Sequence, residues 1–121
     1  MGKAEEWLDT ATDALSQQRF TAATGTAIHA GINAADAICG ARLGQRSSTE
    51  THNEAVAMLR SVPADGPGAA NHLNRLLQKK HKAEYDPQPV SQSDAAAAVK
   101  QAEKLVAIAR RVVSESLPPP N

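Results

Sequence analysis

Large aromatic side chains and cysteines are scarce in this chain, and its charges cancel. The 121 residues include one Trp, one Tyr, one Phe and one Cys, and 13 basic residues balance 13 acidic ones. With a single cysteine, Cys39, no internal disulfide can form. A net charge of zero argues against binding to nucleic acid or to an anionic membrane by bulk charge. Binding of that kind would need a local basic patch.

Segments that direct a chain into or across a membrane are also missing from the sequence. No apolar run reaches the roughly 18 residues of a spanning helix, and no basic segment followed by an apolar one opens the chain. The lone cysteine lies inside a helical pattern, which is typical of a reducing compartment. We therefore expect a cytoplasmic protein that does not contact a membrane.

Metal-ligand spacing is absent from the sequence as well. The four histidines are His29, His52, His72 and His81, and none has a Glu three residues before it, as the paired ligands of di-metal helix bundles do. One cysteine is too few for a structural zinc site. We expect neither a metal nor another cofactor.

Alanine is the most abundant apolar residue. It supplies 24 of the 50 apolar residues, and it is the best helix former and is depleted in strands. The composition therefore predicts an all-α fold with closely spaced helices. The length suits one domain, since domains run to roughly 100–200 residues.

Apolar residues recur at spacings of three and four in five segments, which predicts five helices. Four of them cover residues 3–16, 20–42, 69–83 and 91–117, and the third helix along the chain ends before Pro63. Trp7 lies on the apolar face of the first helix, and residues 63–68 are predicted to form a loop. Ser47-x-x-Glu50 and Thr51-x-x-Glu54 both match the capping-box pattern, so the third helix begins near one of them. Short connections predict an up-and-down bundle of four to five helices. We expect one domain over residues 1–117 and a short Pro-rich tail over 118–121.

A basic stretch near the end of the fourth predicted helix carries the most chemical information. Arg75 and His81 are six residues apart, about 120° out of line on a straight helix. A histidine that moves a proton and an arginine that stabilises a charged phosphate are the groups that cleave a phosphodiester without metal. The alternative is a solvated basic helix end whose arginine reaches a carboxylate on a neighbouring helix.

Several short elements together carry a family resemblance. They are Arg19-Phe20 through Ile28, Ala34-Ala35-Asp36-Ala37-Ile38, His52-x-x-Ala55, Leu76-Leu77, Lys80-x-x-x-x-Tyr85-Asp86 and Ser91-x-x-x-Ala95. This combination resembles the HEPN superfamily over roughly residues 15–113, and most of all its small bacterial members. The resemblance implies a bundle of four or five helices that pairs into a homodimer across its central helices.

The resemblance also implies a choice between two roles. Many HEPN proteins are metal-independent ribonucleases, often toxins paired with a nucleotidyltransferase antitoxin, that use an Arg followed after four to six residues by a His. Arg75 and His81 match that spacing. Active members commonly have a polar residue after the arginine, whereas here Leu76 is apolar, and other members are binding or assembly modules.

We therefore favour a small HEPN-like module, within a toxin–antitoxin type system, that binds RNA, a nucleotide or a partner protein such as a nucleotidyltransferase. The predicted nucleic-acid contacts are Lys79, Lys80, Lys82 and Tyr85, beside Arg75. The alternative is a metal-independent endoribonuclease with His81 as general acid/base and Arg75 as phosphate stabiliser. A third interpretation is an interaction protein whose dimer interface is built on Ala27, Gly31 and Ala35.

Overall fold

The fold is all-α. In the computed structural model, which describes residues 1–45 and 51–117, the helices are α1 (Gly2–Ser16), α2 (Phe20–Leu43), α3 (His52–Arg60), α4 (Gly66–Gln78), α5 (Lys80–Tyr85) and α6 (Gln92–Ser116). They pack as a bundle, and these described residues contain no strand. The predicted all-α class and the helical bundle are confirmed. Ser47-x-x-Glu50 and the tail over 118–121 lie outside the described residues.

Two of the predicted helix starts are capped by side chains. The Oγ1 atom of Thr51 accepts a hydrogen bond from the backbone N–H of Glu54 at 3.3 Å, so α3 begins at the second capping box. At α6 the Oγ atom of Ser91 accepts from the N–H of Asp94 at 3.2 Å. These bonds satisfy amide groups that the first turn of a helix leaves without a partner.

The bounds predicted for the fourth helix are wrong at both ends. α4 begins at Gly66, three residues early, because Pro67 suits the first turn, where its missing N–H costs nothing. A Cβ atom on Gly66 would lie 2.6 Å from the carbonyl oxygen of Leu59, so only glycine fits this contact. At the other end α4 stops at Gln78, and the N–H of Lys79 donates to the carbonyl of Leu76 three residues back. α5 then starts a separate short helix.

The core lies between α2 and α6, and alanine makes up much of both facing surfaces. The buried residues of α2 are Ala23, Thr24, Ala27, Ile28, Ala30, Gly31, Ala34, Ala35, Ile38 and Cys39. Gly31 is the point of closest approach, because a Cβ atom there would collide with Leu76 Cδ1 and contact Leu105 Cδ2 at 3.6 Å. Gly25, in the same helix, has nothing within 4 Å of its Cβ position and does not mark a close approach.

α2 and α6 run in the same direction. Their contacts occur in the same order along both helices, with Thr21 bonded to Val90 near one end and Arg42 bonded to Glu115 near the other. α4 runs opposite to α6, since His72 contacts Gln101 while Asp65, just before α4, contacts Arg111.

α3 runs opposite to α4, because Arg60 contacts Asn71 near the connecting turn and His52 contacts Lys80 at the far end. It follows that α3 is parallel to α2, which departs from a strict up-and-down order at this one connection. Eight residues, 44–51, separate the two helices, and an extended chain of that length spans about 26 Å. That is longer than the roughly 14 Å of the nine-residue α3.

Trp7 is less buried than the helical pattern predicts. Its side chain is 37% exposed and stacks on the exposed ring of His29, with ring centroids 4.9 Å apart and planes 28° apart. The apolar face of α1 is instead formed by Ala4, Leu8, Ala11 and Ala14.

Candidate functional site

The break at Lys79 separates the two predicted catalytic residues. Arg75 lies on α4 and His81 on α5, and both are exposed. The His81 ring packs on Tyr85, with centroids 5.3 Å apart, and no hydrogen bond joins it to Arg75. The two residues therefore lie on separate helices, and their joint role in phosphodiester cleavage stays a prediction.

Arg75 instead borders an open depression of about 450 Å³ between α2, α4, α5 and α6. We call it the Arg75 depression. It is lined by Thr24, Arg75, Gln78, Lys79, Lys82, Val90, Asp94, Ala97 and Gln101. Among the predicted site residues it brings together Arg75, Lys79 and Lys82, and it does not include His81, Lys80 or Tyr85.

One carboxylate organises the two lysines of this depression. The Oδ1 atom of Asp94 accepts from Lys79 Nζ at 3.2 Å and its Oδ2 atom accepts from Lys82 Nζ at 3.0 Å. The hydrogen bond from Lys82, then that from Lys79, lowers the pKa of Asp94 to about 2. We call these three residues the Asp94 clamp. It ties α5 to the first turn of α6.

The other predicted contacts of α5 point elsewhere. Lys80 Nζ lies 3.1 Å from His52 Nε2, so it links α5 to the start of α3. Tyr85 is 67% exposed and its ring contacts His81. No residue of α5 is buried, so this helix is attached to the bundle by polar contacts and by the half-buried Ala83.

The guanidinium of Arg75 makes no hydrogen bond or ion pair within residues 1–45 and 51–117. Arg75 is solvated near a helix end, as the alternative predicts, but among these residues it reaches no carboxylate on a neighbouring helix. Asp94 is the carboxylate in this depression, and it is bonded to lysines. Arg75 keeps all five of its N–H donors for solvent or a ligand.

Two glutamines of the depression were not predicted. Gln101 Oε1 lies 2.6 Å from His72 Nδ1, a contact that turns the amide nitrogen of Gln101 away from His72. Gln78 projects from the last turn of α4, one turn beyond Arg75. An amide on a helix surface has no distinctive spacing, so the sequence held no signal for either residue.

The residues predicted to form a dimer interface lie inside the protomer. Ala27 is 0% and Ala35 6% exposed, and Gly31 is buried under Leu76 and Leu105. This prediction is wrong, because the apolar face of α2 packs against α4 and α6 and is not accessible to a second copy of the chain. The homodimer itself stays a prediction, and it would have to use another surface.

No group of three His, Cys, Asp or Glu side chains that could hold a metal ion occurs in the part of the chain that the structure describes. In the same residues no helix is both long enough and apolar enough to span a membrane.

Comparisons of the chain with protein-family models, curated proteins and solved structures give no match. The HEPN-like assignment therefore rests on the short sequence elements alone and stays a prediction.

Proposed function

We propose that the protein is a small HEPN-like helical module that binds RNA or a nucleotide through phosphate contacts in the Arg75 depression. The observation that carries the proposal is the unpaired guanidinium of Arg75 beside two lysines held in place by Asp94. An arginine fork contacts two phosphate oxygens at once, which makes it a good phosphate ligand. The local excess of positive charge supplies the basic patch that the neutral chain as a whole lacks.

Binding is favoured over cleavage by the position of His81. A general acid/base must lie within hydrogen-bond reach of the proton it moves, directly or through one water. His81 does not line the depression and is stacked on Tyr85. His81 is therefore not among the side chains that line the proposed phosphate site.

The test is direct binding of RNA to the purified full chain. Fluorescence anisotropy would measure a single-stranded, 5′-phosphorylated RNA with an internal dye against wild type and Arg75→Ala. Loss of a charge-assisted hydrogen bond costs about 1.5–3 kcal/mol, so we expect Arg75→Ala to weaken binding about tenfold or more.

Lys3→Ala is the matched control, because Lys3 is an exposed cation of α1 at the other end of the bundle, beside Gly40 and Ser116, and does not line the depression. It should leave the affinity within about twofold of wild type, since one distant charge is largely screened. Equal affinities of wild type and Arg75→Ala, or equal losses in both variants, would contradict the proposal.

A further inference from the structure

The net charge of the Arg75 depression points to a particular ligand group. Arg75, Lys79 and Lys82 contribute three positive charges and Asp94 one negative charge, which leaves +2. A phosphate esterified once, at a chain end or on a free nucleotide, carries about −1.5 to −2 near neutral pH. A phosphodiester inside a strand carries a single negative charge, so it would neutralise only part of the +2 charge of the depression.

The residues that keep free donors line the same depression. Each lysine ammonium has three N–H donors and gives one to Asp94, so two remain on each. Gln101 uses its carbonyl oxygen with His72 and keeps its amide N–H donors. Together with Arg75 these groups offer more N–H donors than the two free oxygens of a phosphodiester can accept. They suit the three terminal oxygens of a phosphomonoester.

The walls of the depression do not suit a strand that passes through. Sequence-independent grooves for single strands stack successive bases on aromatic side chains, and none of the lining residues is aromatic. The apolar side chains of the lining are Val90 and Ala97, and beside them the hydroxyl of Thr24 donates to the carbonyl of Phe20 at 2.9 Å. The volume of about 450 Å³ falls in the range of small-molecule sites.

We infer that the Arg75 depression binds a terminal phosphate, that is, a phosphomonoester, rather than the internal phosphodiesters of RNA. This inference rests on the proposed function and names the group recognised at the same site. Two sources share that chemistry: a free nucleoside monophosphate and the phosphorylated end of an RNA.

The experiment compares ligands that differ only in the phosphate. Isothermal titration of the full chain would use AMP, the methyl ester of AMP, adenosine and inorganic phosphate. Anisotropy would use one RNA sequence with a 5′-phosphate, with a 3′-phosphate or with hydroxyls at both ends. We expect the methyl ester to bind about tenfold more weakly than AMP and adenosine not to bind measurably, since a charge and an acceptor oxygen are lost.

The RNA arms distinguish the two sources. Tighter binding of an end-phosphorylated RNA than of its hydroxyl form, by about tenfold, with AMP as a competitor, assigns the ligand to RNA ends. AMP binding without any gain from an end phosphate assigns it to free nucleotides. Arg75→Ala should remove the preference for the monoester in either case, and Lys3→Ala should preserve it.

Two other results would overturn the inference, and they differ in what they leave standing. If all three RNAs bind equally and Arg75→Ala weakens them equally, the depression binds internal phosphates, and only the terminal-phosphate inference fails. If no ligand binds in a manner that depends on Arg75, the inference and the proposed function fail together.

Discussion

Charged side chains are paired differently at the two ends of the bundle. Where α2 and α6 finish, two arginines face two carboxylates: Arg42 contacts Glu115 at 2.6 Å and Arg111 contacts Asp65 at 2.7 Å. Arg111 also lies 3.6 Å from Glu115, which joins the two pairs into one chain. Each of these four side chains therefore has a partner of opposite charge.

At the opposite end the Arg75 depression holds three cations and one carboxylate. Asp94 is bonded to Lys79 and Lys82, and Arg75 has no protein partner among the described residues. The matched charges of the first end join helices, whereas the surplus charge of the second is left for a ligand. Equivalent substitutions at the two ends should therefore affect different properties of the protein.

Charge reversal should give the largest effect and the clearest contrast. Arg75→Glu is expected to weaken RNA binding by about a hundredfold or more, because it removes the donors and adds repulsion, while the melting temperature stays close to that of wild type. Arg111→Glu places three carboxylates together and should lower the melting temperature while binding is retained. Anisotropy and thermal denaturation of both variants measure the two properties. A loss of both properties in both variants would remove the distinction between the ends.

Acid titration should reveal the contribution of the Asp94 clamp to the stability of the folded chain. The pKa of Asp94 is lowered to about 2 in the folded chain, against about 3.9 for an ordinary aspartate. Its contribution to stability is therefore complete above about pH 4 and is lost as the pH falls toward 2. Asp94→Asn should flatten the decline of the melting temperature over this interval.

Part of that decline should remain in Asp94→Asn, because the hydrogen bond from Arg111 also lowers the pKa of Asp65. Amide hydrogen exchange offers a second measurement: residues 80–85 should exchange faster in Asp94→Asn, since α5 has no buried residue to hold it. Asp9→Asn, at an exposed site on α1, is the control. Identical exchange of α5 in both variants would show that the clamp does not anchor this helix.

Added salt should have a smaller effect, and it should change RNA binding at the Arg75 depression more than the stability of the bundle. Binding of RNA should weaken with a logarithmic slope that corresponds to only two or three phosphate contacts, because single-strand slopes are about −0.7 per contact. The melting temperature should change little, since exposed ion pairs contribute weakly to stability. Anisotropy at several salt concentrations gives the slope, and a value near zero would contradict phosphate binding.

The smallest effect is expected from His81→Ala. This side chain is exposed and contacts Tyr85, so stability should change by less than about 0.5 kcal/mol and RNA affinity by less than about twofold. The same variant tests the ribonuclease alternative. RNA cleavage by wild type that persists in a chelator and disappears in both His81→Ala and Arg75→Ala would replace the binding role with catalysis.

Local signals in the sequence predicted most of the helices. The spacing of apolar residues located α1, α2 and α6 to within about a residue at each end, and the caps at Thr51 and Ser91 marked two starts. The end of α4 had no such signal, because residues 69–86 contain neither glycine nor proline. The break at Lys79 coincides with bonds from Lys79 and Lys82 to a carboxylate 12 to 15 positions away.

The sequence by itself determined the all-α class and the starts of α1, α2, α3 and α6, because helical periodicity and capping act over three or four residues. It also marked the basic stretch from which Arg75 comes. Only the tertiary structure decided which helix faces meet: it turned Ala27, Gly31 and Ala35 inward, and it brought Gln101 to His72 across 29 positions. Those outcomes depend on long-range packing of helices, which the spacing of residues within any one helix does not specify.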